Sequence, residues 1–165
     1  VLMNIVLLVT IVLLIIKILD GYNKGMVKEI ISLISLAITC IVVVIVGAGL
    51  HFVKSSQIAG VLVAVLLLAL LGIAHHFLRL IFFSAKLISK LPVISFGNKV
   101  LGMVVGAMEV LLLLWTVYTF AMYYDLGAIG DIIIEGTKES AILSKIYSFN
   151  MLAPIVESVL AKLPW

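Results

Sequence analysis

One charged residue, Glu109, interrupts the apolar run 100–122. It falls about ten residues into that run, so roughly 15 Å along a helix and near the midplane of a bilayer. An isolated charge at that depth costs about 3 kcal/mol on insertion scales, so the side chain must face protein or water, or carry a proton. Its helical position selects the first. Gly102 and Gly106 form a GxxxG pair, Glu109 lies about 20° from Gly102 around the helix, and Thr116 follows close behind on the same face. Gly102, Gly106, Glu109 and Thr116 thus make one small-and-polar seam. Three uses of Glu109 stay open: a packing contact with a neutral or hydrogen-bonded carboxyl, a proton- or ion-handling group, and a contact between copies.

The other residues with chemical potential are less suggestive. His75 and His76 are adjacent, so their side chains leave a helix about 100° apart and chelate one ion poorly. No Cys, Asp or third His stands at a suitable spacing, and His51 is expected across the membrane. They read as interfacial histidines, with a proton-sensitive pair as the alternative. Cys40 stands alone in an apolar run, can form no intrachain disulfide, and reads as a buried small residue. Asp131, Glu135, Glu139 and the other acids near the C-terminal end read as a solvated face. There is no GxSxG, P-loop, HExxH or CxxC pattern. The expectation is a protein that is not an enzyme and holds neither cofactor nor metal.

The elements that position these residues follow from composition. Of 165 residues, 65% are hydrophobic and 12% charged, whereas soluble domains run near about 45–50% apolar and about 25% charged. Such a chain lacks the polar coat that water demands. The net charge of +3 from 11 basic and 8 acidic residues is too weak a bias to suggest nucleic acid. Four runs are long enough to cross a bilayer: 2–19, 30–50, 58–78 and 100–122. The first lacks a basic region before it and an A-x-A-like site after it, so it is expected to be a retained helix, not a cleaved signal. In the second, Ser32, Ser35 and Thr39 recur on one side of a helix, a stripe suited to helix packing.

Between the third and fourth runs, residues 79–91 have a different character. Arg79, Lys86 and Lys90 fall within about 40° of one another on a helix with apolar residues elsewhere. This pattern predicts an interfacial helix with its basic face toward lipid headgroups, ended by Pro92. After residue 124 the apolar stretches shorten and charges punctuate them. The predicted fold is all-α: a four-span transmembrane domain over 1–124 and a peripheral amphipathic, helical tail over 125–165, with helices broken near Gly136 and Asn150. Basic residues set the orientation. Lys17, Lys24 and Lys28 flank the first connection, and Arg79, Lys86, Lys90 and Lys99 the third, against Lys54 alone in the second. The positive-inside rule then puts connections one and three in the cytoplasm and both termini outside.

Two stretches carry a family resemblance. In DGYNKGMVKEIISL, residues 20–33, Gly21–Tyr22, Lys24–Gly25 and Lys28–Glu29 stand where the colicin V production protein family (CvpA family) has a glycine–aromatic pair, a basic–glycine pair and a basic–acidic pair opening its second helix. In NKVLGMVVGAMEV, residues 98–110, Lys99, Leu101, Gly102 and Gly106 match the family's basic residue, leucine and two glycines four apart. Asn98 replaces the usual Asp, and Glu109 stands where members often carry a basic residue. The region that resembles the family is roughly 1–124. The resemblance implies a multi-pass bacterial inner-membrane protein linked to production or export of a peptide toxin and to envelope homeostasis.

Residues and resemblance together lead to an accessory or scaffold protein whose partners are membrane lipids and another membrane protein or itself. The alternative is a small oligomeric channel or transporter with Glu109 on its route.

Overall fold

The structure, a computed structural model, describes residues 4–51, 69, 72–80, 96–123 and 125–162. Asn4 starts the first helix by accepting the Leu7 N–H on its side-chain oxygen, and α1 runs Ile5–Lys24. It continues as far as Lys24, well into the first connection that the sequence places between the runs 2–19 and 30–50. The whole reversal is made at one residue, Gly25, whose φ of 78° is open to glycine at little cost and whose N–H still bonds the Gly21 carbonyl at 2.9 Å. The Asp20–Lys24 pair, four residues apart, supports the last turn. Helix α2 then begins at once, Met26–His51. Helix α3 is described over 72–80. Helix α4 is Phe96–Tyr123, and three shorter helices follow: α5, Ala128–Lys138; α6, Ala141–Ser148; and α7, Leu152–Leu160.

Every described element is helical, and three helices are long and apolar enough to cross a membrane: α1, the Met26–Val44 part of α2, and α4. The all-α membrane character expected from composition is therefore present. The expected third span, 58–78, lies outside the described residues apart from 69 and 72–78, as does the interfacial helix beyond residue 80.

Helix α4 is the centre of the assembly. It runs antiparallel to α1, because Gly25 meets Asn98, Gly21 meets Gly102 and Lys17 meets Gly106. It runs parallel to α2, because Met26 N–H bonds Asn98 Oδ1 at 3.0 Å while Val43 and Val44 share a core with Phe120. Parallel neighbours need a return, so the chain between His51 and Phe96 starts at one end of the bundle and finishes at the other. Helix α1 buries only Thr10 and Gly21 fully, and its Val9, Val12, Ile15, Ile16 and Leu19 are exposed. That face suits lipid, against which apolar side chains cost nothing.

The tail folds back over the end of the bundle remote from Gly25. Asn4 Nδ2 donates to Gly136 O at 2.5 Å, and Trp115 Nε1 donates to Ile146 O at 3.0 Å. Tyr118 is fully buried, bonded through its hydroxyl to Thr137 and packed edge-on against Tyr147 at 5.1 Å between ring centroids. Asn150 ties the last connection down: its amide donates to Trp115 O and Thr119 Oγ1, and its oxygen accepts the N–H groups of Leu152 and Ala153 at the start of α7. Leu143, Leu152 and Val156 are the buried apolar anchors. Helix α5 runs two residues past Gly136, and Ser140 caps α6 through the Leu143 N–H.

Candidate functional site

Four-residue repeats on two helices build the first half of the site. Lys17, Gly21 and Gly25 lie along one line of α1 and its cap, while Asn98, Gly102 and Gly106 lie along one line of α4. A side chain on Gly21 would overlap the Gly102 carbonyl, one on Gly102 would overlap the Gly21 carbonyl, and one on Gly106 would overlap the Lys17 carbonyl. The helices approach so closely that backbone rests on backbone. Beside this contact Lys99 Nζ sits 5.0 Å from the centre of the Tyr22 ring, within cation–π range.

Close approach brings Lys17 to Glu109, with Nζ 2.5 Å from Oε2. The Glu109 side chain is fully buried and that of Lys17 is part-buried, at 21% exposure. One turn of α4 separates Glu109 from Val105 and Gly106, so the ion pair begins where the glycine contact stops. The second oxygen, Oε1, is buried without a hydrogen-bond partner.

Helix α2 supplies the second half. Glu29, Ser32 and Ser35 are all completely buried, and neither oxygen of Glu29 nor the hydroxyl of either serine meets a hydrogen-bond partner. Thr39, next along the stripe, satisfies itself by donating to Ser35 O at 2.7 Å. Glu29 lies within electrostatic range of Glu109, Lys17, Asp20 and Lys24. His75 on α3 is half-buried with its Nδ1 unpartnered, in electrostatic range of Glu109, Lys17 and Arg79. A buried carboxylate with no protein partner is costly in its ionised form, more so than a paired one.

The residues singled out from the sequence distribute as follows. Gly102, Gly106 and Glu109 are buried against α1, while Thr116 is buried beside Cys40 of α2 and donates to Leu112 O at 2.8 Å. In the turn motif Gly21 and Gly25 are buried, Lys24 is paired with Asp20, Lys28 is exposed and Glu29 is buried. Arg79 is half-buried, and Lys86 and Lys90 lie outside the described residues.

Sequence reasoning missed two residues. Lys17 reads from the sequence as a lysine reaching for headgroups but turns inward to Glu109. Glu29 reads as part of a cytoplasmic turn but belongs to the interior. A signal for Glu29 existed: Glu29, Ser32, Ser35 and Thr39 are spaced three, three and four, so the carboxylate extends the hydroxyl stripe by one step. For Lys17 the signal was its four-residue spacing from Gly21 and Gly25, legible only once α1 and α4 are known to meet.

Among the described residues no group of three or more His, Cys, Asp or Glu side chains is placed to hold a metal ion. Compared with known proteins, the chain matches no family model, no curated protein and no solved structure.

Proposed function

We propose that this chain is a non-enzymatic, four-span accessory or scaffold protein of the bacterial inner membrane, of the kind the colicin V production protein family represents. It supports peptide or toxin production or secretion and envelope homeostasis by holding another membrane protein or a second copy of itself. The observation that carries this reading is that the two sequence stretches resembling the family meet as one contact. Gly21 lies on Gly102, Gly25 on Asn98, Met26 bonds Asn98, and Lys99 covers Tyr22. Residues 72 to 81 apart in the chain are spent on a single helix crossing, which explains their types through packing and asks for no catalytic role. One return crossing between His51 and Phe96 completes four spans, with Gly25 and Asn98 at the cytoplasmic end and the tail outside.

Crosslinking in native membranes tests it. A specific adduct with a second membrane protein or with itself, weakened by Gly102→Leu, is expected. A chain that stays solitary under every crosslinking condition overturns the reading.

The second reading, an oligomeric channel or transporter, is favoured by the unpartnered Glu109 Oε1. It requires a carboxylate that a permeating ion can reach, and Lys17 already holds Oε2. Proteoliposomes decide: ion flux abolished by Glu109→Gln supports transport, and no flux from the unaltered protein removes it.

A further inference from the structure

Charges inside the bundle do not balance pairwise. Lys17 is taken by Glu109 and Lys24 by Asp20. Glu29 remains, completely buried, with both oxygens unpartnered. Among the described residues these four groups are the titratable ones that face it from the helices packed around it: Asp20, Lys24 and Lys17 from α1, and Glu109 from α4. Helix α7, the other helix on α2, packs at the Val43–Val44 end, more than two turns of helix away, and its Glu157 is exposed. On α3, His75 faces Glu109 and Lys17. The two serines on the same face of α2 are equally buried and equally without partners. Three oxygen-bearing side chains stand at three-residue spacing along α2, all buried and all unsatisfied, and the carboxylate among them is short of one positive charge.

We propose that Glu29 is a reversible intramembrane binding site for one monovalent cation, a proton or a sodium ion, completed by the hydroxyls of Ser32 and Ser35. Neutralising one carboxylate takes one positive charge, and the hydroxyls supply the remaining contacts: they accept the acid proton of a protonated Glu29 or coordinate sodium. Divalent ions are disfavoured because Lys17 and its +1 charge lie in range of the same carboxylate. The site sits about one turn into α2 from Gly25, near the end of the bundle that carries Lys24, Lys28 and Lys99, so its occupant exchanges with that side. Glu109 is not the same kind of site, since its compensating charge is covalently part of the chain. The proposal does not depend on the accessory reading: a scaffold and a transporter would each have use for such a site.

Labelling the full-length protein in native membranes with the apolar reagent dicyclohexylcarbodiimide tests it without any substitution. The reagent takes the proton from a carboxylic acid onto nitrogen while the carboxyl oxygen adds to its central carbon, so only a protonated, apolar-accessible carboxyl is modified. Peptide mapping by mass spectrometry is expected to place the adduct on Glu29 and not on Glu109, with a rate that falls about tenfold per pH unit on the alkaline side of its titration. Sodium slowing the labelling at fixed pH, with potassium at equal concentration as control, assigns the site to sodium. Labelling that follows pH alone assigns it to the proton. Ser32→Ala with Ser35→Ala is expected to shift the pH profile or abolish sodium protection while Glu29 stays reactive. Absence of a Glu29 adduct at every pH, a pH-independent adduct, or modification of Glu109 in its place overturns the proposal.

Discussion

Breaking the Lys17–Glu109 contact from its two sides has unequal consequences. Glu109 is fully enclosed, whereas Lys17 keeps 21% of its side chain exposed and has a flexible stem. Lys17→Met strands a carboxylate in an apolar interior, and loss of one partner of a buried pair costs about 3–5 kcal/mol. Glu109→Gln leaves a lysine near the end of α1 that can turn its ammonium toward the headgroups, so it is expected to cost about half as much or less. Replacing both residues by methionine removes the desolvation penalty along with the attraction and is expected to recover most of the loss. Unfolding of the purified protein in mixed micelles by increasing sodium dodecyl sulfate measures all three. A Glu109→Gln variant less stable than Lys17→Met would show that the carboxylate, not the lysine, has the escape route. The protein-facing side of Glu109 was legible from its GxxxG spacing in the run 100–122. The identity of its partner was not, because an ion pair between residues 92 positions apart depends on which helices touch.

The α1–α4 crossing rests on glycines, and at that scale the consequence of a methyl group is decided by what it would strike. At Gly21, Gly102 and Gly106 it strikes backbone carbonyls, which no rotamer change can move. The helices must separate, and alanine at any of the three is expected to destabilise by about 1–3 kcal/mol or more. Gly25 adds a second penalty, because its φ of 78° disfavours any side chain. Gly72 on α3 has open space within 4 Å and serves as the control: alanine there is expected to be neutral or slightly stabilising. Melting temperatures of the five alanine variants in detergent check the order. A Gly72 variant as damaged as Gly102→Ala would mean that backbone contact is not what separates them. Gly102 and Gly106 were legible as packing glycines because they interrupt an otherwise apolar helix. Gly21 was not. Set among Asp20, Asn23 and Lys24 it has the look of a turn residue, and a polar turn and the polar last turn of a helix have the same composition.

Directions of the long helices constrain the molecule as a whole more tightly than charge counting does. Lys24, Lys28 and Lys99 share one end because Gly25 touches Asn98, and that would hold if none of them were basic. Asn4, Tyr118 and Thr137 share the other end through the tail. Helix geometry therefore fixes which ends lie together, and the positive-inside rule alone assigns the basic end to the cytoplasm. The shape of the tail escaped the sequence because its anchors, Leu143, Leu152 and Val156, are ordinary members of short amphipathic stretches, and Trp115 and Tyr118 have the composition of an interfacial belt while their polar atoms bond the tail. A Cys40→Ala background makes the arrangement measurable, since Cys40 is the sole thiol and is fully buried. Cysteine is then placed singly at Asn23 or Glu139, both exposed, one at each end. A membrane-impermeant maleimide is expected to reach Glu139→Cys from outside intact cells and Asn23→Cys only in inverted vesicles. Labelling of both from one side would break the antiparallel relation of α1 and α4. The Lys17–Glu109 pair, the glycine contact and the enclosure of Glu29 all depend on that relation.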